Sequence, residues 1–291
     1  MRKVILTTMT LLTAVTMSAS SEKNPIKVNQ VGYLTHESKI ATIEPEAKTK
    51  SFLIRDQKGK TVWRTKHATT KKSPFSSKIR QEIDFSSITK PGRYTLVAGR
   101  HQQSFIISSD PYTEALKASI KGYYYQRSGE SLERKYAGEY ARPAAHLDTH
   151  VMVHPTAATT KRPAGTIISS PKGWYDAGDY NKYIVNSGFT LGLILQSYQL
   201  HQDRFNSLNL QIPESDNKIP DILDEMMYNL EWMLTMQDPT DGGVYHKLTT
   251  PNFEGFVMPE DCKQQRYVVQ KTTTAALDFA ATMALAARIY Q

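Results

Sequence analysis

At Asp110-Pro111 the hydrophobic period of this 291-residue chain changes, and that change bounds what it can fold into. Before it, residues 25–108 read as strands. The runs IKVNQVGY, KIATIE, SFLIRD, TVWRT, KIRQEIDF, GRYTLVA and QSFIIS have period-two or β-branched character. Turn signals at Gln57-Lys58-Gly59-Lys60, Lys90-Pro91-Gly92 and Ala98-Gly99-Arg100 separate several of them. Seven short strands in roughly 85 residues predict an immunoglobulin-like sandwich. After residue 110 the pattern is helical, over 112–126, 186–202, 218–237 and 272–290. Residues 186–202 open on Asn-Ser-Gly as a cap and are apolar nearly all round, as in an interior helix. In 218–237, Ile219, Ile222, Leu223, Met226, Leu230, Met233 and Leu234 follow helical spacing behind Pro220. The alanine-rich 272–290 places Leu277, Ala280, Ala281, Ala284 and Ala287 at helical spacing, which suits a buried helix with close neighbours. Loops 127–173 and 238–271 are long enough to carry function. Helices joined by such loops suit an α/α toroid whose loops build one face, although four helices do not close a ring.

Composition removes several classes. Apolar residues at 40% and charged residues at 22% exclude disorder as the main state. One cysteine, Cys262, excludes a disulfide framework and a Cys-rich zinc site. No apolar run reaches the ~18 residues of a membrane span. Residues 1–20, MRKVILTTMTLLTAVTMSAS, have a basic start, an apolar stretch and small residues for cleavage. They read as a secretory signal peptide, which predicts a secreted or periplasmic protein. Its removal takes Arg2 and Lys3, so the net charge falls from +8 to 34 − 28 = +6. The lysines are scattered, and no basic-aromatic stripe points to nucleic acid.

Chemistry concentrates in Gly173-Trp174-Tyr175-Asp176-Ala177-Gly178-Asp179-Tyr180-Asn181-Lys182-Tyr183. Two carboxylates sit three residues apart. Gly178 permits a tight backbone that turns both into one cavity. The helix that follows offers its N-terminal dipole to hold them ionised. Aromatic faces stack on pyranose rings, and a carboxylate takes a proton from attacking water. The alternative is a structural turn, with an Asp capping a helix and Trp174 in the core. Two acids are too few for a calcium site.

The string GWYDAGDYNKYIVNSG resembles the matching segment of glycoside hydrolase family 9, the cellulase family. IKVNQVGYL at 26–34 resembles the opening of the immunoglobulin-like domain that precedes many of its catalytic domains. Residues 219–250 and 272–284 resemble its next segments in order. The resemblance implies a sandwich over 25–108 and the N-terminal part of an (α/α)6 toroid over 111–291, acting on β-1,4-glucans with inversion. It implies Asp179 as general base and Asp176 as its partner in positioning water. It also implies sugar contacts from His246, in Val-Tyr-His-Lys, and from Trp174, Tyr180 and Tyr183 in the motif segment. For His246 an ordinary loop histidine is the alternative. The substrate is a β-glucan polysaccharide or oligosaccharide. Cellulose, mixed-linkage glucan, cello-oligosaccharides and chitosan-type oligosaccharides all stay open, as does endo or exo action. No cofactor is implied.

The chain departs from the family in two ways. The family's proton donor is a glutamate near the far end of the barrel, and nothing up to Gln291 matches it, so the toroid is expected to be incomplete. Glu254 and Glu260 have no link to that role. An isolated helical part that bares its apolar faces gives up ~1.5–3 kcal/mol per large side chain. Against ~5–15 kcal/mol of net stability it is not expected to fold stably alone. A secreted glycan-binding protein without catalysis, or an inactive fragment, is the competing reading. Second, the loop before the motif offers His146, Asp148, His150 and His154 where some relatives place Cys and His ligands. Spacing of four would suit zinc on a helix, but solvated or hydrogen-bonding histidines are the simpler reading, and no metal is assigned.

Overall fold

The computed structural model describes residues 24–291, so the signal-peptide reading of 1–20 lies outside the described residues. The chain forms two compact units that divide between Tyr112 and Thr113. No helix among the described residues is long and apolar enough to cross a membrane.

The first unit is all β. Its strands are β1 (Ile26–Lys27), β2 (Tyr33–Leu34), β3 (Ile40–Ile43), β4 (Phe52–Asp56), β5 (Thr61–Thr65), β6 (Thr69–Lys72), β7 (Ile79–Asp84), β8 (Gly92–Ala98) and β9 (His101–Ser108). They form two sheets, ordered β1-β3-β7-β6 and β2-β9-β8-β4-β5. The period-two pattern sets the inward faces: Phe52 and Ile54 on β4, Tyr94 and Leu96 on β8, Ile83 on β7. Both sheets close on one core, where the Phe85 ring meets Tyr33 and Phe105 edge-on or tilted, each at 5.1 Å.

Two differences from the sequence reading have physical causes. The run IKVNQVGY is two strands: β1 pairs with β3 in one sheet, and β2 pairs in parallel with β9 in the other. The chain changes sheets between them through Gly32, at φ 125, where a Cβ would stand 2.6 Å from Ile106. Strand β6 was not expected. Its sequence, TTKK, is exposed throughout and sits on a sheet edge, so it carries no alternation to read.

The second unit is mainly helical. Its elements are α1 (Thr113–Tyr124), α2 (Arg134–Ala137), β10 (Val151–Val153), β11 (Ile167–Ile168), β12 (Lys182–Tyr183), α3 (Ile184–Leu200), α4 (Gln202–Asn206), α5 (Asp221–Thr235), β13 (Lys247–Thr249), β14 (Tyr267–Val268) and α6 (Thr273–Ile289). The stretches read as loops, 127–173 and 238–271, supply most of a small sheet ordered β11-β10-β14-β13-β12. Its strands of two or three residues are too short to show a period.

All four expected helices form, and the buried faces of α3 and α6 differ from the reading. Helix α3 buries Ile184, Leu191, Leu195 and Tyr198 and leaves Phe189, Leu193 and Leu200 exposed. Its cap is not Asn186-Ser187-Gly188. Tyr183 holds that place, because β12 pairs with β13 up to the helix start. Helix α6 buries Ala275, Phe279, Thr282, Leu285 and Ala286, while Leu277, Ala280, Ala281, Ala284 and Ala287 face outward. On α5 the expected Ile222, Leu223, Met226, Leu230 and Met233 are buried; Ile219 precedes the helix, Leu234 is exposed, and Asp221, Glu225 and Asn229 are buried as well, at i, i+4 spacing.

Candidate active site

The motif segment leaves the core at Gly173 and returns at Lys182. Gly173 adopts φ 84, and a Cβ there would lie 2.7 Å from the Trp232 ring. Gly178 is different. It is not left-handed, and a Cβ on it would meet nothing within 4 Å. The tight backbone attributed to Gly178 is therefore carried by Tyr180, at φ 54. The turn closes with the Tyr180 N–H on the Ala177 carbonyl at 3.2 Å and the Asp176 N–H on the Asn181 carbonyl at 2.9 Å.

This turn holds both carboxylates at its rim. Asp179 Oδ2 accepts from the Tyr183 hydroxyl at 2.8 Å and from Asn181 Nδ2 at 3.2 Å. Its Oδ1 accepts from the Asn181 N–H at 3.4 Å. The Tyr183 phenol is pushed up to about 12 by burial and by the Asp179 carboxylate, so it stays a donor at working pH. Asp176 is exposed, and Asn186 Nδ2 donates to its Oδ1 at 2.6 Å. The start of α3 thus reaches the acids through the side chains of Tyr183, its N-cap, and Asn186, in its first turn. Asn181 is fully buried, and its Oδ1 accepts the Thr250 N–H at 3.0 Å, which anchors Asp179 to the later loop.

A cleft of about 140 Å³ opens beside Asp176, walled by Tyr123, Gln126, Trp174, Tyr183 and Asn186. Trp174 shows only 6% of its surface there. Its indole N–H donates to Glu225 Oε1 at 2.9 Å and its backbone N–H to Asn229 Oδ1 at 3.1 Å, so it is a fixed wall. Glu225 in turn pairs with Arg127, which also binds Glu214 and Glu130 and stacks on Tyr228. Tyr180 stacks edge-on against Tyr175 at 5.1 Å and donates its hydroxyl to the Val257 carbonyl. His246 immediately precedes β13. Its carbonyl accepts the Ile184 N–H at 3.1 Å, beside Tyr183, and its Nδ1 pairs with Thr272 at 3.0 Å. The structure thus gathers Trp174, Asp176, Tyr183 and Asn186 on one cleft and sets His246 next to it through the backbone.

The histidines of the preceding loop do not converge. That stretch is a turn and a strand, not a helix. The His146 ring bonds the Tyr175 hydroxyl at 2.8 Å, His150 meets Thr149, and His154 caps a short turn at Thr156. Burial, with Arg266 nearby, pushes His146 down to about 4. Asp148 is buried against Lys182 and Arg266. No group of three metal-ligating side chains occurs among the described residues.

Sequence reasoning missed Asn181, Asn186, Lys182 and Arg266, and offered Asp148 only beside the loop histidines. Asn181 and Lys182 lie within the motif, yet nothing in their spacing marks them as inward-facing. Asp148 and Arg266 are 118 positions apart, and only the small sheet brings them together.

A carboxylate fixed by an amide and by a phenol that itself lines an open cleft is equipped to accept a proton from water. Residues 112–291 match the protein family described as Glycosyl hydrolase family 9, and residues 21–103 match the Cellulase N-terminal ig-like domain. The chain is 54% identical, over 91% of its length, to the Xyloglucan-specific endo-beta-1,4-glucanase BoGH9A of Bacteroides ovatus, covering 45% of that relative. It is 36% identical, over 91% of its length, to Endoglucanase D of Acetivibrio thermocellus, covering 42% of it. A solved structure described as Bacteroides ovatus GH9 superposes with a TM-score of 0.89 at 54% identity, over 91% of this chain and 49% of that one. The chain spans about half or less of the length of these relatives.

Proposed function

The chain belongs to glycosyl hydrolase family 9, and on that premise we propose that it is the base-bearing part of a secreted, inverting β-1,4-glucanase. Asp179 takes the proton from the attacking water. Asp176, held by Asn186, helps to position that water. The observation that carries this reading is the Asp179 carboxylate, fixed by Asn181 and by Tyr183, whose side chain also lines the aromatic-walled cleft that opens beside Asp176. Inversion places a second carboxyl roughly 6.5–9.5 Å away as proton donor. That acid comes from polypeptide beyond residue 291. The same polypeptide completes an (α/α)6 toroid over the outward faces of α3 and α6. Support comes from the length of the relatives and from exposed Phe189, Leu193, Leu200 and Leu277.

The substrate class is a β-1,4-glucan, with xyloglucan first among candidates because of the Bacteroides ovatus relative. His246 contacts the sugar near the cleaved bond, and Trp174, Tyr180 and Tyr183 supply further substrate contacts. Residues 1–20 direct export. The test is Asp179→Asn in the full-length protein. General base catalysis contributes ~10²–10⁴-fold, so turnover on xyloglucan and cello-oligosaccharides falls by at least about 100-fold while oligosaccharide binding is kept. Turnover within about tenfold of wild type removes Asp179 from this role.

A further inference from the structure

Three charged side chains lie buried beneath the acid-bearing turn. Lys182 has no exposed side-chain surface, Asp148 has 1% and Arg266 7%. They come from three parts of the small sheet: Asp148 precedes β10, Arg266 precedes β14 and Lys182 opens β12. Asp148 Oδ2 meets Lys182 Nζ at 2.7 Å, and Asp148 Oδ1 meets Arg266 Nε at 3.1 Å.

The remaining donors point at the turn. Lys182 Nζ donates to the Lys172 carbonyl at 2.6 Å and to the Ser170 carbonyl at 3.1 Å, on the limb that leads in. Arg266 Nη1 donates to the Tyr180 carbonyl at 2.7 Å, on the limb that leads out. Trp174, Asp176 and Asp179 all lie between these points. Tyr180 is the left-handed residue that turns the chain from Asp179 to Asn181. An L-residue adopts that conformation at a cost, and the guanidinium bond to its carbonyl helps hold it there. A buried ion group is weak evidence for stability, since apolar residues fill such space as well. Here its spare hydrogen bonds go to the two limbs of one turn.

We propose that Arg266 is a positioning residue for catalysis, clamping the Tyr180 carbonyl to Asp148 so that Asp179 keeps its orientation toward the attacking water. The inference rests on Asp179 as base. Arg266 suits the test because its removal leaves Asp148 and Lys182 as a balanced pair. Displacement of a catalytic group by about 1 Å costs on the order of 100-fold in rate. In the full-length enzyme, Arg266→Met is expected to lower kcat on cello-oligosaccharides about 10- to 100-fold, with KM changed less than about twofold. A folded Arg266→Met variant with kcat within about twofold of wild type overturns the proposal. So does a rise in KM that matches the loss in kcat, because the residue then acts on binding or on the whole site. If the Met variant does not fold, Arg266→Gln serves. It keeps a polar group against Asp148 but falls short of the Tyr180 carbonyl, and the same fall in kcat at constant KM is expected. Wild-type kcat in the Gln variant overturns the proposal. Asp179→Asn is run in parallel. If it retains turnover, the base assignment fails and this inference with it; if it is inactive while the Arg266 variants are not, only the clamp fails.

Discussion

Two glycines of one motif should respond unequally to the same substitution. Gly173→Ala introduces a Cβ at φ 84, 2.7 Å from the Trp232 Cγ and 2.9 Å from its Cβ and Cδ2. The left-handed backbone costs an L-residue roughly 1–2 kcal/mol. Crowding against a buried ring adds roughly 1–3 kcal/mol. Trp232 has no exposed surface. The sum is about 2–5 kcal/mol, a large share of the ~5–15 kcal/mol that holds a domain. Gly178→Ala meets no atom within 4 Å and no positive φ, so its expected change is within about 0.5 kcal/mol. The assay is urea unfolding of the full-length protein, followed by tryptophan fluorescence, with the midpoint shift multiplied by the common slope. A Gly173→Ala loss below about 1 kcal/mol, or an equal loss at Gly178, refutes the argument that Gly173 carries the close approach.

Three further outcomes follow from the site. Tyr183→Phe removes the 2.8 Å donor to Asp179; hydrogen bonds to charged groups are worth ~1.5–3 kcal/mol, so steady-state kinetics should show kcat falling about tenfold or more. Arg127→Met leaves Glu225 buried without its cation, and denaturant titration should report a loss of about 3–5 kcal/mol. His146 is held down to about 4 when folded and returns to its ordinary value when unfolded. Between about pH 6.5 and pH 4 the unfolded chain therefore binds the extra proton, and stability falls as the pH is lowered. Discounted for partial exposure, the loss is about 2 kcal/mol, and His146→Gln should flatten that part of the stability–pH curve.

The sequence was most legible where one face of an element is buried and the other solvated. β4 and β8 alternate cleanly because one sheet face meets the core. The sandwich follows from that alternation. Helix α6 was harder, because it is apolar on both faces. Its outward alanines have the same spacing as its inward Phe279, Thr282 and Leu285, and periodicity alone chose the wrong stripe. The edge strand TTKK carried no signal because both of its faces are wet. At the site, the acids and aromatics were legible as a string of chemical types. Their support was not. Asn181 reaches Asp179 and Thr250 at once, and Arg266 reaches Tyr180 and Asp148, through contacts that exist only after β10, β12, β13 and β14 pair. The role given to Gly178 belongs to Gly173 and Tyr180, since glycine in a sequence does not reveal which residue takes the positive φ.

The central claim is that Asp179 activates water on the face of the sugar opposite the leaving oxygen. Proton NMR of the full-length enzyme cleaving a β-1,4-gluco-oligosaccharide reads this directly, through the anomeric signal of the first product before mutarotation. The account predicts the α-anomer first, with the signal abolished in Asp179→Asn. The β-anomer as first product would mean a covalent, retaining route and would contradict the assignment of Asp179 as the base of an inverting enzyme.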